Sequence, residues 1–245
     1  MRYIGKEMSR VDGIAKVTGK AKYAAEFEAP NLCFGYLALS TIAKGQIKQL
    51  NVKDAERAPG VLKVLTHENV PGLLKGAKET DKEFHALRTP DIVFSGQPVA
   101  LVLAETFEQA RAAAGLVKVS YTSDQAQTDL RALLAKAYSV PNDMTKPPRG
   151  NPAEAYATAP VKLTAEYHIP IEHHHPIEPQ GATAFWKDGK LTIYDKSQNV
   201  YQVRERLSKL FGMKPCQMTR PPIMFNLPAI VFKMALFLFG RIKAK

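Results

Sequence analysis

The sequence predicts an α+β protein in which strands and helices are interspersed along the chain. An apolar strand, an alanine-rich helix and an alternating strand follow one another between Gln97 and Thr122. A hairpin pattern runs over 182–194, with Lys187-Asp-Gly-Lys190 as its turn. Directly behind it, apolar residues at helical spacing predict an amphipathic helix that ends at Gly212.

The N-terminal part is predicted to form strands separated by short turns. Leu32–Ile42 is rich in aromatic and aliphatic residues, and Ile47–Val52 alternates as a strand does. Asp54–Ala58 is a short helical turn that ends at Pro59-Gly60, because proline cannot continue a helix. Val61–Thr66 then returns as a strand.

The segment from Gln97 to Thr122 is the clearest local unit. Pro98–Ala104 is a continuous apolar run, which is typical of a strand buried on both faces. Thr106 and Gln109 have the spacing of a capping box, so a helix is predicted to begin there. Val117–Tyr121 alternates as the following strand.

The middle of the chain has the composition of a linker. A helix is predicted over Asp129–Ala137, and the loop Pro141–Pro152 contains four prolines and one glycine. Beyond it, Val161–His168 alternates and predicts a strand. Ser197 is positioned to cap the last helix.

Charge, cysteine content and the first residues of the chain limit the functions that are expected. Six of the eleven net positive charges lie between Lys214 and the end of the chain, so the rest carries no general basic patch and nucleic-acid binding is not expected. Cys33 and Cys216 are too few and too far apart for a disulfide framework or a thiolate metal site. The first ten residues contain no apolar signal segment, so a cytoplasmic location is expected.

The character of the sequence changes near Pro215. From Lys214 to Lys245 there is no Asp or Glu, and an apolar run occupies Ile223–Gly240. One interpretation is a membrane-associating tail, but the run has only the minimum length for a span and Lys233 interrupts it. The other is a shifted reading frame or a truncated gene. We favour the second interpretation.

Four of the six histidines crowd into one stretch, as His168 and His173–His175. His173 and His175 would share a side of a strand and could ligate a metal, but no third ligand is evident. The alternative is a polar loop with hydrogen-bonded imidazoles. Glu172 and Glu178 flank the group and could act as a base and its partner, or lie on a solvated loop.

Gln198 is notable for its position, where the second hairpin strand meets the entry of the last helix. A carboxamide there offers one donor group and one acceptor group beside the positive end of a helix, which favours an oxo or phosphate oxygen. The alternative is a plain helix-start glutamine.

Several ordered motifs carry a resemblance to a known family. They are Val11-Asp-Gly13, Lys16-Val-Thr-Gly-Lys-Ala-Lys-Tyr-Ala24, Gly96-Gln-Pro-Val-Ala100, His175-Pro-Ile-Glu-Pro179 and Leu191-Thr-Ile-Tyr-Asp-Lys-Ser-Gln-Asn199. Taken together over residues 1–214, they resemble the xanthine dehydrogenase/aldehyde oxidase family. The resemblance implies an α/β-hammerhead domain over 11–122, a linker over 123–160 and the incomplete start of a molybdopterin-binding domain over 161–214, followed by a divergent tail over 215–245.

The same resemblance implies a function. Such chains belong to large subunits of molybdenum hydroxylases, which oxidise aldehydes or N-heterocycles with water-derived oxygen at a molybdenum–molybdopterin cofactor. Iron–sulfur and FAD subunits of the same complex accept the electrons. Gln198 falls on the family glutamine that hydrogen-bonds at the molybdenum centre.

The departure from the family pattern is equally specific. After Gly212-Met-Lys-Pro215, family members continue into a Gly-Gly-Gly-Phe-Gly segment and later supply a catalytic glutamate. Neither is found in this sequence. We therefore expect the chain to be inactive alone, with the apolar faces of its last strands and helix exposed. The alternative function is a non-enzymatic subunit-docking module with a membrane-associating tail.

Overall fold

The computed structural model describes residues 4–28, 31–70, 86–138, 150–214, 216 and 218–219. Contacts divide the chain into two units. One contains the residues up to Gln125 together with those from His174 onward, and the other contains Ala126–His173.

Nine strands and six α-helices are defined within the described residues. The strands are β1 (Phe34–Leu39), β2 (Gly45–Asn51), β3 (Val61–Thr66), β4 (Asp91–Ile92), β5 (Pro98–Ala104), β6 (Lys118–Ser123), β7 (Thr183–Lys187), β8 (Lys190–Tyr194) and β9 (Met218–Thr219). The helices are α1 (Gly13–Val17), α2 (Lys53–Glu56), α3 (Phe107–Ala114), α4 (Leu130–Leu133), α5 (Pro152–Thr158) and α6 (Val200–Phe211). Short 3-10 turns lie at Ala24–Glu26 and Leu134–Lys136.

Strand β5 is the centre of the first sheet, whose order is β1-β5-β3. Both neighbours are antiparallel to it. Its side chains alternate between two apolar clusters, as a strand period of two requires. Ala100 and Val102 pack in the cluster that contains alanines of α2 and α3. Leu101 and Leu103 pack in the cluster on the other side. The prediction that this strand is buried on both faces is confirmed.

The segment that contains β5, α3 and β6 links two sheets. Helix α3 begins with the predicted capping box: the Gln109 amide N–H donates to Thr106 Oγ1 at 3.2 Å, and the Thr106 amide N–H donates to Gln109 Oε1 at 3.0 Å. After α3 the chain enters β6, which lies beside β2 in a second sheet of order β4-β2-β6. The predicted strand, helix and strand are confirmed, with the two strands in different sheets.

The hairpin β7–β8 has the predicted turn. Asp188 and Gly189 have φ values of 50° and 74°, the left-handed pair that a type I′ turn requires. Strand β9 pairs with β8 in parallel, which the sequence did not suggest.

The expectation that the last strands and helix expose their apolar faces is wrong for β8 and α6. Leu191 and Ile193 of β8 and Leu207 and Leu210 of α6 are at most 9% exposed. They belong to the same cluster as Leu101 of β5, so the first sheet supplies the apolar partner that the sequence pattern left unassigned.

Helix α6 begins two residues later than predicted. Its N-cap is Asn199, whose Oδ1 accepts from the Gln202 amide at 3.2 Å. Ser197 does not cap the helix, because its Oγ accepts from the Asn199 amide instead, at 3.1 Å. Gly212 ends the helix with a φ of 61°, as predicted.

The second unit differs from the sequence prediction in three places. The helix predicted over Asp129–Ala137 is α-helical only over Leu130–Leu133, with Asp129 as its N-cap, and continues as a 3-10 turn over Leu134–Lys136. Helix α5 was not predicted, although Asn151 caps it and Pro152 occupies its first turn, where proline is tolerated. The predicted strand over Val161–His168 is absent, and the described residues of this unit, 126–138 and 150–173, contain no strand that could pair with it.

The predicted tail over 215–245 lies almost wholly outside the described residues. Its apolar run, Ile223–Gly240, is entirely outside them. Among the helices that the structure describes, none combines the length and apolar character needed to traverse a bilayer. The boundaries at 122, 160 and 214 stay predictions.

Candidate functional site

Gln198 lies in the bend between β8 and α6, and its side chain is exposed. The three residues before it are buried: Asp195 is 6% exposed, Lys196 2% and Ser197 7%. The loop is therefore anchored in the protein on one side of Gln198 and begins a helix on the other. This arrangement presents the carboxamide at the surface from a fixed backbone.

A network of long-range hydrogen bonds anchors the loop. Lys196 Nζ donates to the backbone oxygen of Glu178 at 3.0 Å. Glu178 Oε1 accepts from the Ala24 amide at 2.9 Å, and the Ala24 oxygen accepts from Thr183 Oγ1 at 2.9 Å. We call these four residues, Ala24, Glu178, Thr183 and Lys196, the clasp. They join the 3-10 turn at Ala24–Glu26 to the hairpin and to the loop before Gln198.

The end of β8 is also held by a ring contact. Phe27 stacks on Tyr194 with ring centroids 3.8 Å apart and ring planes 8° from parallel. Tyr194 is four residues before Gln198. The stacking and the clasp both fix the backbone that leads to the carboxamide.

The electrostatic setting of Gln198 comes from α6. This helix has 12 residues, and no acidic residue occupies its first turn. Its N-terminal amides carry a partial positive charge, and no carboxylate of its own first turn offsets that charge. Gln198 adds two N–H donors and one acceptor at the same end. The site can therefore donate hydrogen bonds to an anionic or strongly dipolar oxygen.

Among the described residues, the histidine-rich stretch does not form a metal site. His173, His174 and His175 are exposed in a loop, as is His168. Within the described part of the chain, no group of three or more His, Cys, Asp or Glu side chains is placed to hold a metal ion.

The two acidic residues beside the histidines differ. Glu172 is exposed, whereas Glu178 is 5% exposed and belongs to the clasp. The interpretation of Glu178 as a solvated loop residue is wrong, because its carboxylate is needed to satisfy the buried Ala24 amide.

Sequence reasoning also missed Lys196. A buried lysine is unusual, and here its ammonium reaches a backbone oxygen 18 residues away. The available signal was its position between Asp195 and Ser197 in the motif that ends at Asn199. That signal gives no partner, because the oxygen that Lys196 contacts belongs to a distant loop.

The chain's own residues fit one contact to a molybdenum–pterin group. The exposed Gln198 carboxamide and the helix end beside it suit an oxo or phosphate oxygen.

Two family models match consecutive parts of the chain. The first describes the a/b hammerhead domain of aldehyde oxidase and xanthine dehydrogenase and matches residues 18–125. The second describes a molybdopterin cofactor-binding domain and matches residues 137–220. The predicted fold class, a hammerhead domain followed by the start of a molybdopterin-binding domain, is confirmed. The second match continues to residue 220, a few residues into the predicted tail.

An aldehyde oxidoreductase molybdenum-binding subunit and a xanthine dehydrogenase match the same region. The aldehyde oxidoreductase molybdenum-binding subunit PaoC of Escherichia coli is 38% identical over 211 residues, which are 85% of this chain and 28% of that protein. The xanthine dehydrogenase of Emericella nidulans is 25% identical over 218 residues, which are 86% of this chain and 16% of that protein. The chain therefore spans little more than a quarter of the first relative and less of the second.

A solved structure agrees. The aldehyde oxidoreductase from Desulfovibrio gigas superimposes with a TM-score of 0.69 at 26% identity, over 88% of this chain and 26% of that one. The two proteins therefore share a fold over most of the length of this chain.

Proposed function

We propose that this chain, which belongs to the xanthine dehydrogenase/aldehyde oxidase family, is the N-terminal part of a molybdenum hydroxylase large subunit. The reaction would be the oxidation of aldehydes or N-heterocycles with water-derived oxygen. The observation that carries the proposal is the placement of Gln198. Its exposed carboxamide stands at the N-terminus of α6, on a loop anchored by the clasp.

The bound molybdenum–molybdopterin cofactor would supply the redox chemistry, taking two electrons from the substrate carbon as an oxygen from water is added. The chain's own residues would orient it. The Gln198 amide would donate to an oxygen of the cofactor, and the N-terminal amides of α6 would favour negative charge at the same place. The clasp would hold the Gln198 backbone in position, so the donor is oriented before the cofactor arrives.

These residues are one part of a site, and we expect no turnover from the 245-residue chain alone. The E. coli relative is 28% covered, so nearly three quarters of that protein has no counterpart in this chain. The Gly-Gly-Gly-Phe-Gly segment and the catalytic glutamate implied by the family resemblance would come from such additional residues. Iron–sulfur and FAD subunits as partners and a cytoplasmic location stay predictions.

A chimera tests the role of Gln198. Residues 1–214 of this chain would replace the matched region of the E. coli subunit, which is then produced with its usual partners. We expect Gln198→Ala to lower the rate of aldehyde oxidation by about tenfold or more at unchanged protein yield, because a donor to the reacting centre is lost. Gln202→Ala is the matched control, since Gln202 is an exposed glutamine on the first turn of the same helix.

Two results would contradict the proposal. Gln198→Ala could leave both the rate and the molybdenum content of the chimera unchanged. That result would show that the Gln198 amide makes no functional contact with the cofactor. Alternatively, the purified 245-residue chain could bind molybdenum and oxidise an aldehyde, which would remove the expectation of inactivity. The alternative of a docking module with a membrane-associating tail depends on residues 220–245, which are outside the described residues.

A further inference from the structure

Ser197 is a buried serine whose side-chain hydrogen bond spans Gln198. The residue is 7% exposed, and its Oγ accepts from the Asn199 amide at 3.1 Å. A serine that binds the amide two residues ahead closes a local turn. The closed ring contains both backbone torsions of Gln198, because Gln198 lies between the two bonded residues. The Ser197 hydroxyl therefore restrains the backbone of Gln198 directly.

This hydrogen bond connects two parts of the loop that are held separately. The clasp holds the chain as far as Lys196, through the buried ammonium group of that residue. Helix α6 holds the chain from Asn199 onward, since Asn199 is its N-cap. Gln198 lies between these two anchors. Ser197 joins them, because it is buried next to Lys196 in the sequence and is bonded to Asn199.

The Gln198 side chain has no comparable restraint of its own. Among the hydrogen bonds of the described residues, none is made by the Gln198 carboxamide, which is exposed. The orientation of this side chain therefore depends on the backbone torsions that the Ser197 turn restrains. A functional group contributes fully only when it is held within about 0.5 Å of its productive position. Rigidity at Gln198 thus depends on the neighbouring hydroxyl.

We propose that Ser197 is a positioning residue for Gln198 in the oxidation reaction. This role rests on the proposed function, because Ser197 acts only through the Gln198 contact. Loss of the Ser197 hydroxyl would leave the amide of Asn199, an exposed residue, for water to satisfy. The stability of the whole chain should therefore change little, whereas the restraint on Gln198 is lost. A serine needed only for folding would have the opposite pair of effects.

Amide exchange in the 245-residue chain tests the restraint without the cofactor. We expect Ser197→Ala to speed exchange of the Asn199 amide by about fivefold, the effect of losing a single hydrogen bond, measured by NMR. Exchange at the β5 amides should stay unchanged, which checks that the core is intact. Ser208→Ala is the matched control, since Ser208 is a 1% exposed serine of α6 whose hydroxyl donates to the Glu205 oxygen at 2.8 Å. It should leave the exchange of Asn199 unchanged.

The chimera with the E. coli subunit tests the consequence for the reaction. We expect Ser197→Ala to lower kcat by about fivefold with KM within about twofold, because a misplaced donor loses part of its effect in the transition state. In a Gln198→Ala chimera the same substitution should lower kcat by less than about 1.5-fold more, since no carboxamide is then left to misplace. Ser197→Thr keeps the hydroxyl and should restore both kcat and the exchange rate to within about twofold.

Several results would overturn the positioning role. Unchanged exchange of Asn199 in Ser197→Ala would show that the hydroxyl does not restrain the turn. Equal losses of kcat with and without the Gln198 carboxamide would show that Ser197 does not act through it. A loss with Ser197→Thr as large as that with Ser197→Ala would assign the effect to packing.

The same measurements separate this role from the proposed function. A rate that falls with Gln198→Ala but not with Ser197→Ala overturns the positioning role and leaves the proposed function standing. A rate insensitive to Gln198→Ala overturns the proposed function, and the exchange comparison in the 245-residue chain then still decides whether Ser197 fixes the turn.

Discussion

Replacing Leu207 by alanine tests whether the hairpin and α6 share one core with the first sheet. Leu207 is 7% exposed and lies in a cluster with Leu101 and Leu103 of β5. Leucine-to-alanine substitutions at buried sites cost about 2–5 kcal/mol. The cluster edge contains partly buried residues such as Val203 that can relax into the space, so we expect about 2–3 kcal/mol, the lower part of that range.

Two probes report on the two sides of this core. Trp186 of β7 is the only tryptophan in the sequence, so its fluorescence follows unfolding of the hairpin in urea. Hydrogen exchange at the β5 amides follows the first sheet. We expect Leu207→Ala to lower the free energy of unfolding by the same amount for both probes, because a shared core unfolds cooperatively. Tyr201→Ala, at a position 73% exposed on the same helix, should change it by less than about 0.5 kcal/mol.

A split response would refute the reasoning. If Leu207→Ala shifted the Trp186 transition but left the protection of β5 unchanged, the hairpin and α6 would form an independent unit. The apolar cluster would then be a contact without energetic coupling.

Further predictions concern local features of the same unit. Gly60 has a φ of 74°, and an added Cβ would collide with the side chain that closes the capping box of α3, so Gly60→Ala should lower the free energy of unfolding by at least about 1 kcal/mol in urea. Hydrogen bonds donated by Lys16, and to a lesser extent by Arg10, hold the pKa of the Asp12 carboxyl at about 2, below the usual 3.8. Its contribution to α1 is therefore complete above pH 3.8 and is lost as the pH falls toward 2, which an NMR titration of the carboxyl measures. Burial raises the pKa of the Cys33 thiol, so iodoacetamide should alkylate it more slowly in the folded protein than in urea.

Each of the three predictions has a control or a result that would contradict it. Gly13→Ala introduces a methyl group where φ is ordinary, and a cost equal to that of Gly60→Ala would contradict the strain argument. Asp12→Asn should abolish the pH dependence of α1 below about pH 4. Equal alkylation rates for Cys33 in folded and unfolded protein would contradict its burial.

Local signals explain which elements the sequence could predict. The capping box of α3 and the Asp188-Gly189 turn each depend on residues within a few positions of one another, and both were predicted correctly. The apolar run of β5 was also sufficient to predict a buried strand, because the environment of a central strand is apolar on both faces.

The anchoring of the site could not be predicted in the same way. Glu178 contacts an amide 154 residues away, and no spacing rule connects the two. The segment Val161–His168 shows the opposite failure. It has the correct pattern for a strand, but a pattern specifies a face and does not supply the neighbour that pairs with it.

Activity under the proposed function depends on two requirements that the structure separates. The first is presentation of Gln198, and this chain meets it by itself: the clasp and the Phe27–Tyr194 stack fix the loop through contacts among described residues. The second is enclosure of the cofactor, which under the proposed function would need further residues of the subunit. Because the anchoring contacts of the loop do not involve 161–171, a substitution in the clasp and one at an exposed position of 161–171 should differ in their effect on the stability of the chain. Glu178→Ala removes the acceptor of a buried amide and should destabilise the isolated chain by about 1–3 kcal/mol, measured by urea unfolding. Leu163→Asp, at a position 83% exposed, should leave that stability unchanged. Equal destabilisation by the two variants would show that the clasp adds no specific stability to the loop before Gln198.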